Sequence, residues 1–148
     1  MIIRSHEKGD AQSVAVYSEC ENYRYLLTRV WNPAGRKVLF VMLNPSKATE
    51  VQNDPTVERC ERRARALGFA AFTVTNIFAF RATDPKDMRA TADPVGPDND
   101  KYLQDLAAIS QRVTVIGGWG EHGAHRERGQ EGLDIFRAAQ GRLHGLQI

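Results

Sequence analysis

The chain has 148 residues, 42% of them hydrophobic and 26% charged, with a formal charge of +2 and a pI near 8.7. This is globular composition, sufficient for a core without disulfides or a structural metal, and it excludes intrinsic disorder. No apolar run reaches the roughly 18 residues of a membrane span, "MIIRSHEKGD" is not a signal peptide, and Cys20 and Cys60 are too few for a disulfide framework or zinc site.

A single cytoplasmic domain over 1–148 is therefore expected, with Cys60 in its core. The mild positive charge permits nucleic-acid binding without demanding it.

Residues 1–13 are polar and expected to be loose. Tyr23, Tyr25 and Leu27 then alternate toward Trp31 as in a strand, and "NPAG" at 32–35 is a turn. "KVLFVMLN" follows, a continuously apolar run of β-formers suited to a central strand covered on both faces. The strands at 25–31 and 37–43 read as a hairpin. Asp54 reads as a helix N-cap and Pro55 as the first helical residue. Val57, Cys60, Ala64 and Leu67 recur at helical spacing, and Gly68 is a natural C-cap. "AAFTVTNIF" is a second buried strand ending at Asn76.

A long Pro-rich connection carries a short helix from Asp84-Pro85 to about Arg89. "PDNDKYLQDLAAISQ" reads as a helix with Leu103, Leu106 and Ile109 on its apolar positions. "RVTVIGGWG" is a third strand broken by a double glycine. "GAHRERGQEGLDIFRAAQ" reads as a helix with Leu133, Ile135 and Phe136 inward, Gly141 ends it, and "RLHGLQI" is a final strand. A hairpin followed by alternating strands and helices predicts an α/β fold. Its form is a three-layer α/β/α sandwich with a largely parallel central sheet and an N-terminal antiparallel hairpin. In such sheets ligands bind beyond the carboxyl ends of the strands. Three of those ends carry polar chemistry: "LNPSK", "TNIFAFR" and "GGWGEHGAH".

At the first end, Pro45 stops the strand and leaves the Asn44 amide at the edge, able to hold a water or read a base. Asn44 and Ser46 are the candidates for chemistry and Lys47 for anion binding. Asp54 is read first as a cap, at a helix start whose amides favour anions. At the second end, Asn76 pairs with Asn44 as a specificity residue. Phe78 or Phe80 could stack on a planar ring, and Arg81 could meet a phosphate. At the third, Trp119 is a further stacking candidate and His122 a binding candidate. His122 and His125 are three apart, but a third clear ligand is missing, so no metal and no cofactor are expected. The glycines fit neither a Walker loop nor a dinucleotide fingerprint.

Together "RYLLTRVWN", "VMLNPSKAT", "NDPTVERC", "TNIFAFRATDP" and "GGWGEHG" resemble domain-of-unknown-function family 1643, a bacterial and phage group, over residues about 18 to 148. Members of that family usually continue into a Gly-x-Pro-x-His-Pro-Leu segment. This chain stops at "RLHGLQI", so a shorter variant or a truncated C-terminal segment is expected. "VMLNPS" is also similar to the first motif of the uracil-DNA glycosylase superfamily, Gly-Ile-Asn-Pro-Gly in its mismatch-specific branch. Met42 and Ser46 stand where that motif has glycines. This second resemblance implies a parallel-sheet α/β/α fold in which Asn44 orients water and Asn76 reads a flipped base.

The leading expectation is a nucleobase-, nucleotide- or DNA-binding domain that hydrolyses an N-glycosidic bond. The alternatives are a non-catalytic nucleotide- or partner-binding module and a metal-dependent hydrolase.

Overall fold

The computed structural model describes residues 1–139 and 143–145. Its strands are β1 (Ile2–Lys8), β2 (Ala11–Tyr17), β3 (Arg24–Val30), β4 (Lys37–Met42), β5 (Ala71–Asn76), β6 (Thr114–Gly118) and β7 (Leu143–Gly145). Its α-helices are α1 (Pro55–Ala66), α2 (Pro85–Ala90), α3 (Asn99–Ala108) and α4 (Arg128–Ala138). The fold is α/β, with one mixed sheet in the order β1-β2-β3-β5-β4-β6-β7. The β1, β2, β3 and β5 neighbours run antiparallel, whereas β5, β4, β6 and β7 run parallel.

Side-chain alternation along β4 sends Val38, Phe40 and Met42 into one core with Val57, Cys60 and Ala64 of α1. Leu39 and Val41 enter a second core with Leu103 and Ala107 of α3, Val115, and Phe136 of α4. Helix α1 thus covers one face of β4, and α3 and α4 the other. Ile109 and Leu67, expected on inward stripes, are 52% and 61% exposed because each is the C-cap, where the helix ends and its stripe ends with it. No described helix is long and apolar enough to cross a membrane.

The N-terminal hairpin is not the expected one. Residues 1–17, mostly expected to be loose, form β1 and β2 around a tight turn with Gly9 in the left-handed region. Strand β1 is an edge, exposed at most positions, so its sequence lacks a buried-strand pattern. The strands at 25–31 and 37–43 do not pair; β5 lies between them. Residues 31–36 step over the start of β5. The Trp31 and Asn32 amides donate to the Ala70 carbonyl at 3.0 and 3.1 Å, and the Ala70 amide donates to the Arg36 carbonyl at 2.7 Å.

Candidate functional site

The chain leaves β4 toward β5 on one side and leaves β6 toward β7 on the other. The carboxyl ends of β4 and β6 therefore flank a topological switch point, where open α/β sheets form a crevice. A cleft of about 750 Å³ opens there. Its walls are the end of β4 with Asn44 and Ser46, the start of α1 with Thr56 and Arg59, the segment Ala82–Thr83, and the turn after β6 with Trp119, Glu121 and His122.

The β4 wall is built from the Asn-Pro-Ser element. Pro45 ends the ladder, and the Asn44 amide nitrogen donates to the carbonyls of Ala82 (2.9 Å), Pro45 (3.1 Å) and Phe80 (3.4 Å). Its NH₂ group therefore fastens the 80–82 segment. Its Oδ1 has no donor among the described residues, and the residue lines the cleft. The Ser46 hydroxyl donates to Thr83 Oγ1 at 3.2 Å, a second tie between the same two segments.

Asp54 caps α1 as expected, accepting from the Val57 amide at 2.9 Å through Oδ1. Through Oδ2 it also accepts from the Ala48 amide at 3.2 Å, so it fixes the polar loop as well as the helix. Two arginines of β3 support that loop from the sheet. Arg24, 1% exposed, donates to the Ala48 carbonyl at 2.9 Å, and Arg29 to those of Thr49 (2.9 Å) and Gln52 (3.4 Å). Burial pulls the Arg24 guanidinium down to about 10, against the opposing pull of Asp54.

The opposite wall depends on glycines. A Cβ on Gly123 would fall on the Trp119 indole, and one on Gly129 would come within 2.8 Å of its Nε1. Their absence lets the indole lie down between the turn and α4. The helix expected from residue 123 instead begins at Arg128, after a 3₁₀ segment Glu121–Glu127. Arg126 and Glu127 are both left-handed, at φ 53° and 59°, which breaks the helical path before α4.

Of the expected site residues, Asn44, Ser46, Trp119 and His122 share the cleft. The others lie elsewhere. Lys47 is exposed and does not line the cleft. Asn76 ends β5 but is 1% exposed, and it pairs across the sheet with Met42 instead of facing the cleft. Phe78 is core, its ring 5.8 Å from that of His125, and neither lines the cleft. Arg81 donates to the Glu21 carbonyl at 3.1 Å and covers the Tyr17 ring at 5.1 Å. Among the described residues, no group of three His, Cys, Asp or Glu could hold a metal.

Sequence reading assigned no cleft role to Arg59, Thr83 or Glu121. Arg59 is exposed, lines the cleft and makes no ion pair among the described residues. Helical spacing from the Asp54 cap would have found it, since Arg59 lies one turn beyond Thr56. Asn99 and Arg128 were also unmarked. Asn99 donates to the Asn76 carbonyl at 2.8 Å, and Arg128 to that of Ile77 at 2.8 and 3.0 Å, closing the backbone where β5 ends.

A family model described as a protein of unknown function (DUF1643) matches residues 24–148. No curated protein and no solved structure matches the chain.

Proposed function

The chain belongs to the DUF1643 family, and we propose that its cleft binds a nucleotide. The observation that carries this reading is the pairing of an indole with a guanidinium that makes no ion pair among the described residues, contributed from opposite faces of the sheet. Trp119 packs with the α3–α4 core, whereas Arg59 rides on α1. A planar base stacks on the indole, and its phosphate meets Arg59 and the start of α1, where the helix dipole favours an anion. The cleft volume is of the size that small-molecule sites use. Titration of the purified protein with uridine and adenosine monophosphates tests this. Binding is expected, with at least about a tenfold loss in Trp119→Ala from lost stacking. No binding of any nucleotide, or full affinity in Trp119→Ala, refutes it.

A second reading, hydrolysis of an N-glycosidic bond, is favoured by one detail of Asn44. Three carbonyls hold its NH₂ group, so its Oδ1 is oriented before any ligand arrives. In this reading Oδ1 accepts a hydrogen bond from a water and orients it, and the proton that the water loses ends on the departing base. The water oxygen attacks the sugar carbon as the base leaves with the bonding pair, in a glycosylase-like three-layer arrangement. Asn76 has no part in it, being outside the cleft lining. Release of free base from uracil-containing DNA or from a nucleotide, abolished in Asn44→Ala while that variant still melts cooperatively, is the expected result. Equal release by the variant would sink this reading and leave nucleotide binding standing.

A further inference from the structure

Helix α1 carries four arginines beyond its first turn, and their charges are not treated alike. Arg62 is matched by Glu58 at 3.1 Å. Arg65 is matched by Asp10 at 3.0 Å and Glu61 at 3.4 Å. Arg59 and Arg63 make no ion pair among the described residues.

Helical spacing explains the division. Glu58, Glu61 and Arg65 share the flank that faces the β1–β2 turn, where Asp10 sits. Thr56, Arg59 and Arg63 share the opposite flank. Thr56 and Arg59 line the cleft; Arg63 follows Arg59 by one turn, about 6 Å farther along the axis. Like charges four apart oppose each other on an isolated helix, and no acid among the described residues pairs with either. Arg63 is half-buried, its Nη1 enclosed with no hydrogen-bond partner among the described residues, so it must swing outward to meet a ligand. A row of uncompensated guanidinium groups leading out of an anion-favouring cleft matches a ligand whose negative charge continues beyond its first phosphate.

We propose that Arg59 and Arg63 form an extended phosphate track and that the ligand of the cleft is a nucleoside polyphosphate. This rests on the nucleotide-binding reading of the same cleft. The first phosphate lies at Thr56 and Arg59, and the terminal phosphates reach Arg63. Arg62, already neutralised by Glu58, contributes nothing.

The test is calorimetric titration of the full chain with uridine and adenosine mono- and triphosphates, in chelator so that no divalent cation screens the phosphates. The triphosphate of the preferred base should bind at least about tenfold more tightly than its monophosphate, the scale of one charge-assisted contact. Arg63→Ala should remove most of that advantage and leave monophosphate affinity unchanged. Arg63→Gln, which keeps the packing of the stem, should do the same, and Arg62→Ala should change neither. Equal affinity of the wild type for mono- and triphosphate overturns the track while the cleft reading survives. So does an unchanged ratio in both Arg63 variants. Tighter binding of a short single-stranded oligonucleotide than of the triphosphate also overturns it, in favour of a strand. Absence of all nucleotide binding removes the cleft reading and the track together.

Discussion

At the scale of single residues, burial separates side chains that the sequence presents as equals. Cys60 is fully buried under α1, and desolvation pushes its thiol up to about 12. Cys20 is exposed, and its hydrogen bond with Ser18 lowers its thiol below the usual range. A maleimide at mildly alkaline pH should therefore label Cys20 in the native protein and Cys60 only after unfolding, as read by mass spectrometry. Rapid native labelling of Cys60 would contradict the packing of α1. The two asparagines diverge in the same way. Asn44 and Asn76 both end strands, and the sequence offers no sign of which faces outward. The structure gives Asn44 three carbonyl partners and a place in the cleft, and leaves Asn76 enclosed with its Oδ1 unpaired. Their difference depends on which elements pack over β4 and β5.

At the scale of elements, helix α1 was legible almost in full. Asp54 as cap, Pro55 as first residue, the stripe of Val57, Cys60 and Ala64, and the left-handed Gly68 all follow from local chemistry. The β1–β2 hairpin was not legible. Strand β1 is an exposed edge and β2 enters the sheet by pairing with β3, so the hairpin is held by contacts distant in sequence, an ion pair at its turn among them. Arg65 holds Asp10 in the turn of this hairpin by two hydrogen bonds of 3.0 Å, and this contact lowers the Asp10 carboxyl. The sign follows from that direction. The contribution is present above the ordinary carboxylate value of about 3.9 and is lost as pH falls through the lower folded value. Hydrogen exchange of the β1–β2 turn should accelerate on acidification, relative to its intrinsic rate, more in the wild type than in Asp10→Asn. Identical pH responses in the two proteins would show that the pair does not tie the hairpin down.

At the scale of the whole molecule, the cleft depends on the closure of the β5 end. Arg128, 2% exposed, joins α4 to the Ile77 carbonyl and pairs with Asp100 of α3 and Glu131, each at 2.7 Å. One guanidinium thus fastens two helices and the chain that leads to Ala82 and Thr83. Arg128→Met should cost about 1.5–3 kcal/mol, the range for hydrogen bonds to a charged group. The cost stays below that of a fully buried ion pair because Asp100 and Glu131 are half-exposed and can rehydrate. Chemical denaturation gives the number, and a change under about half a kilocalorie would mean that the clasp is redundant.

Local patterns encode the periodicities: a buried strand at β4 and at β5, the capped helix α1, the short helix after Asp84, and the polar strand ends where an α/β sheet takes its ligand. These rest on contacts within a few residues, so a local pattern records them. Long-range packing, in contrast, sets β5 between β3 and β4, breaks the last long helix at Arg126 and Glu127, and brings Arg59 to Asn44, Ser46 and Trp119 while Asn76 and Phe78 turn inward. Lateral strand order and burial are set by contacts between residues far apart in the chain. An apolar run fits several neighbours equally well, and an asparagine at a strand end has the same local sequence whether a helix or water lies above it.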